Sequence, residues 1–248
     1  MMHMSSTRVR KEKELVARYA SSLVKDGQVV GLGSGTTAAI FVRELAKRVM
    51  DEGLKIVAIP SSIPIKLLTL SLAIPTASLD EYPEVDIDVD GADEVDRSLN
   101  LLKGGSYGVF TSEKILAASS KTFIVIADHR KPVKKLHTRF PIPLEVLKDA
   151  RSLVFRRLKE MGGEPKLRVQ KVDGEEVPLM TERGNLIVEV WFRNLEIGFR
   201  ELDDELRRIP GVLETGLFLG MTDMVCIGVG EEVRVFKRGE KLPEELLT

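Results

Sequence analysis

Across roughly the first half of the chain, short apolar runs alternate with segments whose apolar residues recur at helical spacing, and this repetition leaves few possible architectures. Leu15, Val16, Tyr19, Ala20 and Leu23 recur every three or four positions and define a helix ended by Asp26-Gly27. Residues 29–32 read as a strand, 37–50 as a helix, and 54–59 as a strand that stops at Pro60. Residues 63–72 read as a helix that tolerates Pro64 in its first turn, and a short extended run surrounds Pro75. A strand is expected over 85–89, a helix over 112–119 and a fully apolar strand over 122–127. Alternation of this kind predicts an α/β fold with a mostly parallel sheet and helices on both faces.

Past Phe140 the pattern changes. A helical stretch over 150–161 is followed by Gly162-Gly163, an extended run over 166–172, a polar turn at Asp173-Gly174 and an alternating strand over 186–192. An amphipathic helix over 199–209 stops at Pro210-Gly211, and 212–219 is extended. Helix, two strands, helix and strand suggest a small α+β module of the split βαβ type. Two last strands, 224–229 and 232–236 around Gly230, can return to the first sheet. The expected division is 1–138 with 217–248 as one unit and 139–216 as the second. The opening MMHMSST carries no core pattern and is expected to be unstructured.

Composition excludes several classes. Lys+Arg 37 against Asp+Glu 38 gives a net charge of -1, so nothing electrostatic points to a nucleic-acid partner. No apolar run approaches membrane-spanning length and no signal-peptide pattern opens the chain. The single cysteine, Cys226, lies in an apolar run, reads as a buried structural thiol and fits a reducing compartment. With three histidines and that one cysteine, a zinc site is not expected.

Two segments carry chemistry. In VVGLGSGTTAAIF, Gly31, Gly33 and Gly35 alternate before Thr36 and Thr37 lead into a helix. Glycine permits backbone N–H groups to converge, and a helix N-terminus adds partial positive charge, so the loop suits a phosphate. It is neither a Walker loop nor a complete dinucleotide fingerprint, because Thr36 stands where the third glycine belongs. The second segment, DIDVDGADEVDRSLNLLKGGSYGVFTSEK, crowds Asp86, Asp88, Asp90, Asp93, Glu94 and Asp96 ahead of Lys103, Gly104, Gly105 and Glu113. Acids this close repel one another unless a cation, a ligand or water offsets them. Both segments follow expected strands, at the sheet edge where ligands of such folds collect.

GLGSGTT, DGADEVD followed by LNLLKGG, SEKI, FIVIADHRK and RNLE…IPGVLETGLF together resemble the type A ribose-5-phosphate isomerases, from about Lys11 to Lys237. The resemblance implies a Rossmann-like large domain, a ferredoxin-like small domain in oligomer contacts, and a homodimer or homotetramer in the cytoplasm. It also implies interconversion of ribose 5-phosphate and ribulose 5-phosphate through an enediolate, in the non-oxidative pentose phosphate pathway, with no metal or organic cofactor. Matched position by position, the sugar phosphate binds Ser34, Gly35, Thr36 and Thr37, and the acid turn is Asp90, Gly91, Ala92 and Asp93. Lys103, Gly104, Gly105 and Ser106 form the next loop, Glu113 is the general base and Lys131 a further ligand. Asp90 is expected to serve ring opening, Asp93 to orient hydroxyls and Lys103 to stabilise the enediolate. Ten positions separate Lys103 from Glu113, one more than the family usual, so Ser106 and Tyr107 mark an apparent insertion. Two other classes share parts of this pattern. An acyl-CoA transferase would use a glutamate as nucleophile, and a sugar-phosphate-sensing module would lack the base.

Overall fold

The computed structural model describes residues 2–105 and 108–248. Its first half contains α1 (Met2–Leu23), β1 (Val29–Leu32), α2 (Gly35–Glu52), β2 (Val57–Pro60), α3 (Ile63–Ser71), β3 (Ile87–Asp90), β4 (Glu94–Val95), β5 (Leu101–Leu102), α4 (Phe110–Ala118) and β6 (Phe123–Asp128). The second half adds β7 (Ile142–Val146), α5 (Arg151–Glu160), β8 (Glu164–Leu167), β9 (Val169–Val172), β10 (Glu175–Pro178), β11 (Leu186–Trp191), α6 (Phe199–Arg207), β12 (Val212–Thr215), β13 (Leu217–Phe218), β14 (Met224–Val229) and β15 (Glu232–Lys237).

The main sheet runs β15-β14-β6-β3-β1-β2, parallel except for the β14–β15 hairpin at one edge. The expected α/β fold is therefore present, and the last two strands do rejoin the first sheet. Its two faces follow the period of two in the strands. Val30, Leu32, Ile87, Val89, Ile124, Ile126 and Cys226 pack against Val16, Ala17 and Ala20 of α1 and Phe41, Val42 and Leu45 of α2. On the opposite face, Phe123, Val125, Val225 and Ile227 pack with Phe110 and Ala117 of α4 and with Phe218. Cys226 is fully buried, and burial pushes its thiol up to about 12. Among the described residues no helix is long and apolar enough to cross a membrane.

The second sheet runs β12-β7-β11-β8, all antiparallel, with α5 and α6 contributing Val154, Leu158, Leu202 and Leu206 to its core. Taking β7, α5, β8, β11, α6 and β12 in turn gives a βαββαβ unit, the split βαβ arrangement. Its first strand, β7, escapes sequence reading because Pro141 and Pro143 interrupt the run. Pro143 is tolerated where the paired stretch of β12 has already ended.

Three further expectations need correction. The run 166–172 is not one strand: it breaks at Arg168 into β8 and β9, and β9 forms a separate hairpin with β10. The run 212–219 breaks at Gly216, leaving β12 in the second sheet and β13 paired with β5 in a three-stranded sheet. The opening residues are helical, since α1 begins at Met2. Val9, Glu12 and Val16 bury one side of that helix, and each added turn then costs little because nucleation is already paid.

Helix α1 lies close against β14 at Gly228, where a Cβ would come within 2.8 Å of both the Glu12 backbone oxygen and Glu12 Cβ. Gly228→Ala is therefore expected to destabilise the fold by about 1–3 kcal/mol through overpacking, read as a lower denaturation midpoint. An unchanged midpoint would show that α1 can shift away from the sheet.

Candidate active site

On the α4 side of β1 and β3, the inward positions hold glycines and acids instead of aliphatic residues. Gly31 pairs with Asp88 across the parallel ladder. A Cβ on Gly31 would approach Asp88 Oδ1 to 2.7 Å, and one on Gly33 would sit 1.9 Å from Asp90 Cγ. These two glycines thus make room for carboxylates of the neighbouring strand. The Gly33 backbone N–H donates to the Val89 carbonyl, and the Ser34 N–H donates to Asp90 Oδ1 at 3.1 Å.

Beyond β1 the chain turns into α2 at Gly35, whose φ of +91° is open to glycine and strained for other residues. Ser34 occupies the N-cap position but makes no side-chain cap; its hydroxyl lies 2.6 Å from Ser62 Oγ and 2.9 Å from Ser61 Oγ. The first N–H groups of α2 are therefore left facing outward beside Thr36 and Thr37. Lys13, from α1, donates to Thr36 Oγ1 at 2.7 Å. Burial lowers the proton affinity of Lys13, and the charges of Lys131 and Arg130 lower it further against the pull of Asp128. An arriving anion would relieve that repulsion.

Lys103 is the centre of the opposite wall. Its ammonium is 4% exposed, donates to the Gly91 carbonyl at 2.7 Å, and lies 2.9 Å from Asp90 Oδ2 and 3.3 Å from Glu113 Oε2. Burial works against its charge, but Asp90 and Glu113 outweigh that and raise its proton affinity above the ordinary lysine value. Glu113 comes from the first turn of α4 and is itself buried. Burial first and the Asp90 charge second push its carboxyl up to about 8, with Lys103 pulling the other way. Asp93 accepts the Gly105 N–H at 2.7 Å. Gly104, with φ of +99°, lies so near Phe110 and Pro143 that a Cβ would fall 2.6 Å from the ring.

The acid cluster read from the sequence is taken apart by the fold. Asp86 accepts the Val29 N–H and Lys121, while Asp96 accepts Ser98, Asn100 and the Asn100 side chain. Glu94, fully buried, collects backbone N–H groups from His137, Thr138, Arg139 and Phe140. Asp88 is different: it is buried, and burial followed by repulsion from Asp90 holds its carboxyl well above the usual range, with the Lys103 charge and the Val89 N–H opposing. Glu12, Asp128 and His129 also meet near this end of β6, but Arg8 and Arg130 occupy the two carboxylates, which makes an ion network.

A small polar cavity joins the two walls. Ser34, Gly35, Thr36, Thr37, Gly91, Ala92, Asp93, Lys103, Gly104, Gly105, Glu113 and Lys131 all line it. Asp90 does not; it lies 1% exposed beneath the wall, behind Lys103. Ser106 and Tyr107, and so the apparent insertion, lie outside the described residues. Glu113 nevertheless lies 3.3 Å from Lys103. Lys13, Gly108 and Val109 line the cavity without having been singled out in the sequence. Lys13 had no local signal: only the packing of α1 on α2 brings it there.

Next to the base, Lys114 donates to Glu214 Oε1 at 2.8 Å and to the carbonyls of Thr215 and Leu217 at 2.7 Å. It ties α4 to the segment that crosses from the second sheet back to the first. Lys103 N donates to the Gly216 carbonyl at 2.9 Å in the same crossover.

Comparison with known proteins agrees with this geometry. The profile of the family described as ribose 5-phosphate isomerase A (phosphoriboisomerase A) matches residues 57–232. Ribose-5-phosphate isomerase A of Methanocaldococcus jannaschii is 45% identical over 224 residues, which are 90% of this chain and 96% of that protein. A solved structure of ribose 5-phosphate isomerase A from the same organism superposes with a TM-score of 0.86 at 44% identity, covering 92% of this chain and 99% of the other. A structure of D-ribose-5-phosphate isomerase in complex with phospho-erythronic acid gives 0.88 at 36% identity, with 93% and 99% covered. With that extent of sequence and backbone shared, the chain belongs to the ribose 5-phosphate isomerase A family.

Proposed function

We infer that the protein interconverts D-ribose 5-phosphate and D-ribulose 5-phosphate by moving one proton between neighbouring carbons through an enediolate. The observation that carries this reading is a buried carboxyl, Glu113, facing a cavity whose far end is the N-terminus of α2. The phosphate is assigned to Ser34, Gly35, Thr36 and Thr37, with Lys13 and Lys131 as counter-charges. Holding that end fixes the reacting carbons near the base.

Glu113 takes the C2 proton of the open-chain aldose. The C–H electron pair becomes the C1–C2 double bond, and the C1 carbonyl oxygen takes the negative charge. Transfer of the C2 hydroxyl proton to the C1 oxygen, and return of the carbon-bound proton from Glu113 to C1, give the ketose. Lys103 and the Gly104 N–H are the donors for the charged oxygens, an effect of about 3–4 kcal/mol per donor in comparable sites, while the Gly105 N–H holds Asp93. Asp93 orients the sugar hydroxyls. Because Asp90 lies behind Lys103, the cavity-facing proton donor of that pair is the ammonium, and ring opening is assigned to Asp90 and Lys103 together. Phospho-erythronic acid, the ligand of the relative's structure, carries a carboxylate where the enediolate would develop charge, so it serves as an inhibitor probe here.

The division into 1–138 with 217–248 and 139–216 is retained as a functional one, with the first unit holding the base and phosphate loop. The apolar stripe Ile63, Leu67 and Leu70 on α3, each at least half exposed, supports association of copies as a homodimer or homotetramer. A lone buried cysteine suits a reducing cytoplasm.

The direct test is incubation of the purified protein with ribose 5-phosphate in the presence of EDTA, following ketose formation; absence of product would remove the function. Glu113→Gln is expected to lower kcat by roughly 10²–10⁴-fold with the fold retained. The raised Glu113 carboxyl also sets a pH dependence. The base is the ionised form, so kcat/KM should climb with pH along a limb centred near 8, and the raised Lys103 adds no falling limb in that region. A limb near 4.5, the ordinary glutamate value, would show that burial does not govern the base. Lys13→Met is expected to raise KM for ribose 5-phosphate roughly tenfold with little change in kcat, as loss of one charge-assisted contact to the phosphate.

A further inference from the structure

Arg168 belongs to none of the segments that form the cavity; it stands where the run between β8 and β9 breaks. Its side chain is one-tenth exposed and divides its donors between two acceptors. Nε and Nη2 donate to Glu189 Oε1 at 2.9 and 2.6 Å, and Nη1 donates to the Gly104 carbonyl oxygen at 2.6 Å. The other end of that same peptide group, the Gly105 N–H, donates to Asp93 Oδ2 at 2.7 Å. One peptide group is thus held at its oxygen by a guanidinium of the second sheet and at its nitrogen by the acid turn of the first.

The restraint matters because of what flanks it. In a trans peptide the C=O and N–H point in opposite directions, so fixing the oxygen also aims the hydrogen. Turning the plane over changes only ψ of residue 104 and φ of residue 105, and both are glycines with no Cβ to resist. Phe110 and Pro143 crowd the place that a Cβ on Gly104 would take. A flipped peptide would present carbonyl lone pairs to the cavity in place of a donor, and Asp93 would lose its anchor. Glu189 keeps the planar fork in register while neutralising it.

We propose that Arg168 is a positioning residue for the isomerisation, fixing the Gly104–Gly105 peptide so that the Gly105 N–H anchors the Asp93 carboxylate at the cavity wall. The proposal rests on the function inferred above. It gives the second sheet a part in the chemistry.

Arg168→Met and Arg168→Lys are compared with wild type by kinetics on ribose 5-phosphate and by inhibition with inorganic phosphate and with phospho-erythronic acid. In Arg168→Met, kcat is expected to fall about 10- to 100-fold while KM and phosphate inhibition stay within about threefold. Inhibition by phospho-erythronic acid should weaken in step with kcat, and Arg168→Lys should fall between, since an ammonium cannot span both acceptors as the fork does. A kcat of Arg168→Met close to wild type overturns the proposal. So does parallel loss of phosphate inhibition, which would mark general collapse of the site. If Arg168→Met does not fold, Arg168→Lys decides, and wild-type kcat with wild-type phospho-erythronic acid inhibition overturns it. A wild-type protein inactive on ribose 5-phosphate removes the function itself and this proposal with it. An active wild type with an indifferent Arg168→Met removes this proposal alone.

Discussion

Among the described residues Lys103 Nζ is the cation toward which the acid turn, the glycine loop and α4 converge. It touches Asp90, Glu113 and the Gly91 carbonyl in a region almost closed to solvent. Buried charges are tolerated only when paired, and removing one member of such a pair typically costs about 3–5 kcal/mol. Here carboxyls outnumber the cation. Burial first, and this shortfall of positive charge second, leave Glu113 with a proton affinity suited to taking and returning a proton near neutrality. It also sets the base against the fold. The unfolded chain releases this proton near 4.5 and the folded chain near 8, so the folded state holds it more tightly. The resulting stability is full below the unfolded value and is lost as pH rises through the folded one.

That arrangement is possible because the two faces of one sheet do different things. Toward α1 and α2, Val30, Leu32, Ile87 and Val89 supply ordinary apolar burial, each large side chain contributing about 1.5–3 kcal/mol. Toward α4 the same strands carry Gly31, Gly33, Asp88 and Asp90. The apolar side offsets the polar side, so the cost of burying acids falls on strands that are already well anchored. Asp88 fits this view as a buried carboxyl beside Gly31 whose proton affinity is raised by burial and then by the Asp90 charge.

Much of this was legible because it is local. The periods of 2 and 3.6 identified the strands and helices of the main sheet, and Gly35, Asp93, Lys103 and Glu113 stood out because they lie in short motifs at strand ends. The failures at the site are long-range. Lys13 has a helical surface lysine's pattern and joins the cavity only because α1 packs on α2. Arg168 sits in a run that reads as one strand, and its acceptor Gly104 lies 64 positions away in the chain. Strand β7 was hidden by Pro141 and Pro143, and the helical start of α1 by the lack of an apolar stripe in its first residues. Gly31 and Gly33 were noticed for the wrong reason: their small size serves the neighbouring strand's acids more directly than any phosphate. The acid cluster, read as one feature, is several separate anchors and one reactive centre.

The crossover at Gly216 carries a consequence for biogenesis. Lys103 N bonds to the Gly216 carbonyl, Gly216 N to the Pro143 carbonyl, and Lys114 to Glu214, Thr215 and Leu217. A nascent chain that has emerged only as far as α5 already contains the phosphate loop, the acid turn and the base, yet lacks every partner in this crossover. The central strands β6 and β14 likewise cannot meet until translation is nearly complete. Such distant contacts slow folding and leave half-made sheets exposed to aggregation. Catalytic competence thus arrives late on the ribosome, when the C-terminal hairpin is added and the sheet acquires its last edge.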